Sequence, residues 1–145
     1  MSHSTTATPL LRKAATGKYV VHFGDLPVDV LGMFRSEKHD VVISNALRSF
    51  PALDRAPVLA HELTHVSDWM VNPDLLQTSN GCLSTEIHAF HNEATVWRDV
   101  EAGHLKSPAN DLEREFNMIS QAIASDPTGF ITRLKIVYHD QCSPN

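Results

Sequence analysis

The chain has no apolar run near the roughly 18 to 20 residues that a membrane-spanning helix needs, so a membrane is not an expected partner. It has no excess of positive charge: 12 Lys and Arg stand against 17 Asp and Glu, for a net charge of −5. That argues against a nucleic-acid partner, which calls for a basic face. Cysteine is scarce. Cys82 and Cys142 form no close pair of the kind a zinc ribbon uses. They read as free thiols, with one disulfide from the C-terminal tail to the middle of the chain as the alternative. Met1 to Lys18 is rich in Ser, Thr and Ala and holds no continuous apolar stretch, so residues 1–17 read as a flexible segment rather than a secretory leader. The expected location is the cytoplasm, or outside the cell by a route without a standard signal peptide. No internal repeat is visible, and nothing sets the oligomeric state.

What is present fits one domain over 18–145, in a chain of 145 residues with 42% hydrophobic and 20% charged composition. Strands come first. Lys18–Phe23 is β-branched and aromatic, Val28–Arg35 is a second candidate and Asp40–Ser44 a third, the last two joined by a short polar turn as an antiparallel hairpin. The period then changes. Val58, Leu59, Leu63, Val66, Trp69 and Met70 recur at helical spacing over 55–71, with Asp54 as N-cap and Pro57 in the first turn. A second helix spans 83–102, with Leu83, Ile87, Phe90, Ala94 and Trp97 as its stripe and Gly103 as its stop. A third starts at Ser107-Pro108, and a short fourth at Asp126-Pro127. The expected class is α+β: a small antiparallel sheet followed by three to four helices.

The first helix contains His61-Glu62-Leu63-Thr64-His65. Side chains four apart lie one turn apart on one helix face, so both imidazoles can reach one zinc ion at about 2.0 to 2.1 Å. Glu62 projects from an adjacent angle, where it can take a proton from a metal-bound water. The plainer reading is a helix that carries two surface histidines.

A catalytic zinc keeps three protein ligands. A third histidine in the downstream GxxH pattern is excluded, because Asp68 and Val71 stand at those positions. The next helix offers Glu86, His88, His91 and Glu93. At about 100° per residue, His88 and His91 point away from Glu86, whereas Glu93 falls within about 20° of it and about 10.5 Å along the axis. Glu86 is the favoured ligand and Glu93 the fallback, the other being a neighbour that pairs with a cation or a ligand. His88, His91 and His104 read as peripheral. Asp68, three residues after His65, is either a hydrogen-bond acceptor for a ligand histidine or a surface residue.

Ala60–Asp68, AHELTHVSD, resembles the active-site helix of the thermolysin-like gluzincins, in which the third ligand is a Glu on the next helix; Glu86 lies 21 positions after His65. Glu86–Trp97, with Ala89 three residues after the Glu, is similar to the glutamate helix of very small bacterial HExxH proteins, and Leu31–Asn45 to the hairpin before their active-site helix. The resemblance covers roughly 28–102. It implies a zincin-like minimal core, one zinc ion on His61, His65 and Glu86, Glu62 as general base, and a peptide or protein as substrate. Large family members carry a second domain that supplies a His or Tyr to the oxyanion. Tyr138 and His139 have that chemistry, although a core-facing Tyr and a surface His is the plainer reading. One of the strands before the helix, Val41–Ser44 for example, is a candidate to pair with extended peptide. The expected function is zinc-dependent peptide hydrolysis. The alternatives are a zinc-binding module that does not cut and a factor with one specific protein target.

Overall fold

A computed structural model describes residues 4–143. Helix α1 (Ala7–Thr16) precedes strands β1 (Val20–Gly24), β2 (Gly32–Arg35) and β3 (Asp40–Ser44), and helices α2 (Ala52–Val71), α3 (Ser79–Val100), α4 (Asp111–Ser125) and α5 (Pro127–Val137) follow. The class is α+β, and none of the helices is long and apolar enough to cross a membrane.

The sheet is mixed rather than antiparallel. Its order is β1-β3-β2, with β1 parallel to β3 and β2 antiparallel to it. The hairpin of β2 and β3 is as the turn chemistry indicates, and His39 closes it in the left-handed region at φ 53. Val41-Val42-Ile43 is buried throughout and occupies the centre, where an uninterrupted apolar run belongs. Both edges of β3 are therefore taken, so Val41–Ser44 has none to offer a peptide. Strand β2 is shorter than Val28–Arg35, because Val30 N–H donates to Pro27 O in a turn that leaves Val28 89% exposed.

The expected flexible segment over 1–17 is corrected over Ala7–Thr16 by α1, while residues 1–3 lie outside the described residues. Its Ser/Thr/Ala composition conceals a stripe, Ala7, Leu10 and Ala14, that packs into the main core. Lys13 Nζ also donates to Ser67 Oγ of α2 at 2.9 Å. Three helix starts differ from the sequence reading. Helix α2 begins at Ala52, so Asp54 is not its cap but a buried first-turn residue, accepting from Asn110 Nδ2 at 2.9 Å. Helix α3 begins at Ser79, capped by Thr78, whose hydroxyl accepts from Gly81 N–H at 3.0 Å. Helix α4 is capped by Asn110 rather than Ser107: its Oδ1 accepts from Glu113 N–H, and the Glu113 carboxylate reaches back to Ala109 N–H. Asp126 caps α5 as expected, and Gly103 ends the α3 region at φ 84, donating to Arg98 O.

Helix α2 seats Leu63 and Val66 in the core with Val41, Ile43, Leu47 and Trp97. Helix α3 lies along α2 and is pinned to α4 by Trp97 Nε1–H donating to Asn117 Oδ1 at 2.8 Å. Cys82 and Cys142 are joined by a disulfide, so the free-thiol reading is corrected: the chain after α5 folds back and brings Cys142 to a Cα–Cα distance of 5.4 Å from Cys82.

Candidate metal centre

The α2–α3 contact sets the geometry of the site. Thr64, fully buried between the two histidines of its helix, donates to Ala60 O and accepts from Asn92 Nδ2 at 2.9 Å. Asn92 immediately precedes Glu93. This clamp fixes the register that turns His61 and His65 of α2 towards Glu86 and Glu93 of α3.

His61 Nε2 lies 3.4 Å from Glu86 Oε2, and His65 Nε2 lies 3.5 Å from Glu86 Oε1. One nitrogen from each imidazole and one Glu86 oxygen lie within 4.8 Å of one another, a group able to hold a metal ion. Glu93 sits on the far side of His61, which donates to it from Nδ1 at 2.8 Å. The two acids share one face of α3, as the helical phase requires: Glu86 lies beside both imidazoles and Glu93 accepts from one of them. Glu86 Oε2 is buried with no hydrogen-bond partner, as is His65 Nδ1. A buried carboxylate that sets one orphaned oxygen against His61 Nε2 and its other oxygen against His65 Nε2 is an arrangement that a bound cation would satisfy.

Glu62 is buried beside this group, and burial, reinforced by the negative charge of Glu86 and Glu93, pushes its carboxyl up to about 7. The nearby Phe34 backbone works against this rise, as the smallest of the influences on the carboxyl. Gly32 of β2 lies flat against it: a Cβ there would stand 2.6 Å from Glu62 Cγ. Burial lowers His65 to about 4. Burial acts in the same sense on His61, but the nearby Glu86 carboxylate and the hydrogen bond to Glu93 prevail and raise it to about 10. The edge of Phe90 packs on the His61 ring, centroids 4.6 Å apart.

These groups line a cleft of about 580 Å³ between α2, α3, the β2 segment and the turn after α5. That turn brings in Tyr138 and Gln141, whose Nε2 reaches Glu86 Oε1 at 3.5 Å. Tyr138 is half-buried in the cleft wall, and burial raises its phenol. His139 is exposed and paired with Asp140, away from the cleft. Asp68 does not serve a ligand histidine: its carboxylate accepts from His88 Nδ1 at 2.9 and 3.0 Å. His88 and His104 are exposed, and His91 donates to Ile87 O within its own helix, so all three are peripheral to the metal group.

The sequence reading missed Gly32, Gln141 and the Thr64–Asn92 clamp. Gly32 opens a strand and carried no motif. Gln141 reaches the site only because Cys142 is tied to Cys82. Asn92 had one signal, its place beside Glu93 on a face turned towards α2. No protein-family model matches the chain, and no curated protein or solved structure matches it.

Proposed function

We propose that the protein is a zinc-dependent metallopeptidase of minimal gluzincin type, with His61, His65 and Glu86 as metal ligands and Glu62 as general base. The observation that carries this is the buried Glu86 carboxylate, whose unpartnered Oε2 stands opposite His61 Nε2 and whose Oε1 stands opposite His65 Nε2, with the buried acid of Glu62 alongside. One nitrogen from each imidazole and one Glu86 oxygen lie within 4.8 Å of one another, close enough to converge on one ion with bonds of about 2.1 Å. A donor set of two imidazoles and one carboxylate suits zinc and leaves a fourth position open.

When bound, zinc supplies Lewis acidity to a water molecule and to a scissile carbonyl. Glu62 accepts the proton of the attacking water at its carboxylate and passes it to the leaving amine; a carboxyl raised towards neutrality can do both. Glu93 holds His61 with Nε2 turned inward. Strand β2 offers the extended chain a docking edge. Ser44 N–H donates to Leu31 O, so by alternation the backbone of Gly32 points away from β3, to the side on which Phe34 meets Glu62. Peptide paired there lies across the acid.

The test combines metal content with peptide cleavage. Purified protein is expected to carry one zinc, Glu86→Ala to lose it, and Glu62→Gln to keep it while losing hydrolysis of a mixed peptide library. Zinc-loaded wild type that cuts no peptide would instead favour the non-catalytic module.

A further inference from the structure

We propose that the cleft selects peptide segments carrying lysine or arginine beside the scissile bond and turns away acidic ones, a specificity that rests on the peptidase reading above. Five carboxylates line the cleft, those of Asp29, Glu62, Glu86, Glu93 and Glu115, and no lysine or arginine does. Glu86 belongs to the metal group, Glu62 to the chemistry and Glu93 to His61. That leaves Asp29 and Glu115.

These two sit on different walls. Asp29 is in the segment leading into β2, and Glu115 is on α4. Both side chains are exposed, and neither joins an ion pair among the described residues. Each is therefore free to meet a cation from a bound chain.

Even with a divalent ion in place, two positive charges face five carboxylates, so the cleft keeps a negative potential. Much of the remaining wall is apolar, with Leu31, Met33, Val58, Leu76 and Phe90. Low-dielectric walls focus that potential into the groove. An incoming Lys or Arg can lay its aliphatic stem on this surface while its charged head reaches Asp29 or Glu115. An incoming Glu or Asp meets like charge at Asp29 and Glu115, with no lysine or arginine among the described lining residues to offset it, the repulsive half of a selectivity device.

The experiment uses two peptide sets with one apolar core sequence, flanked by Lys in one set and Glu in the other. For the zinc-loaded protein, kcat/KM is expected to favour Lys peptides by tenfold or more. The ratio should shrink at high salt. It should also fall several-fold in Glu115→Gln and Asp29→Asn, mainly through KM. Equal rates for the two sets, or a preference that both variants leave intact, overturns the proposal. In parallel, zinc-loaded Glu62→Gln is titrated with fluorescent versions of the same peptides. Tighter Lys-peptide binding by that variant, with no cleavage by wild type, upholds the cleft's charge selection and sinks the peptidase reading. Equal binding of both sets sinks the selection itself.

Discussion

His61 donates from Nδ1 to Glu93 Oε2 at 2.8 Å, across the α2–α3 contact. The bond fixes which nitrogen faces Glu86 and holds the ring plane, so Glu93 would act through His61 on the metal proposed there. Glu93→Gln keeps a hydrogen-bonding group of the same size without the charge. The expected result is a zinc affinity lower by about 10- to 100-fold, the usual cost of losing such a partner, with an unchanged far-UV spectrum. Chelator competition measures it, and an unaltered affinity would remove Glu93 from the site.

That Glu86 and Glu93 share one face of α3 was legible because seven residues make nearly two helical turns. Phase says nothing about what stands opposite. Asp68 could be placed on the histidine face of α2, but its partner is His88, 20 residues away on another helix. The apolar stripe of α3 misled for a related reason. Leu83 and Ile87 are only partly buried, while Thr85, Glu86 and Glu93 are buried, since that face looks into a polar site. The parallel β1–β3 pairing and the Cys82–Cys142 bond are long-range closures, and no local pattern encodes them.

Gly32 is the second point of sensitivity. A Cβ there would lie 2.6 Å from Glu62 Cγ and 2.8 Å from its Oε1, so Gly32→Ala must displace the carboxylate. The three atoms nearest that Cβ all belong to Glu62, none to the proposed metal ligands. Zinc content should be retained and kcat should fall by about tenfold or more, the scale of a misplaced proton-transfer group. A variant with wild-type kcat would show that Glu62 is not held by this strand.

The disulfide closes a loop across a sequence separation of 60. Loop-closure entropy at that length corresponds to about 4 kcal/mol of stability. Replacing both cysteines by serine should lower the urea midpoint by a matching amount, and wild type under reductant should follow it. Equal midpoints for the oxidised protein and the double variant would mean that the bond does not form in solution.

Asp40 lies between Arg35 and His22, taking Arg35 Nε–H at 2.8 Å and His22 Nε2 at 2.8 Å. The Arg35 hydrogen bond, ahead of the smaller effect of His22, draws its carboxyl down from 3.8 to about 2. A folded-state value below the unfolded one means stability that is complete above about pH 4 and lost as pH falls through about 2. Asp40→Asn should flatten the wild-type decline in urea stability between pH 5 and pH 2. Parallel curves for the two proteins would show that this cluster does not drive acid unfolding.

Tyr138 and His139 are adjacent in sequence and differ in position. Tyr138 is in the cleft wall with its ring edge-on to Phe90, centroids 6.0 Å apart, whereas His139 is exposed and paired with Asp140. A phenol whose pKa is raised stays protonated across the physiological range, so it remains a hydrogen-bond donor. A carbonyl oxygen under attack gains negative charge, and a fixed donor helps most at that moment. Tyr138→Phe should therefore reduce kcat by about 10²-fold or more, the scale for one such donor, with KM and zinc content little changed. His139→Ala should match wild type in all three. The split between kcat and KM separates a donor to the transition state from a residue that merely shapes the cleft, because a shape defect would weaken substrate binding as well. Full activity in Tyr138→Phe would mean that the oxyanion finds its donor elsewhere, with the outward-facing Gly32 N–H of β2 next to be examined.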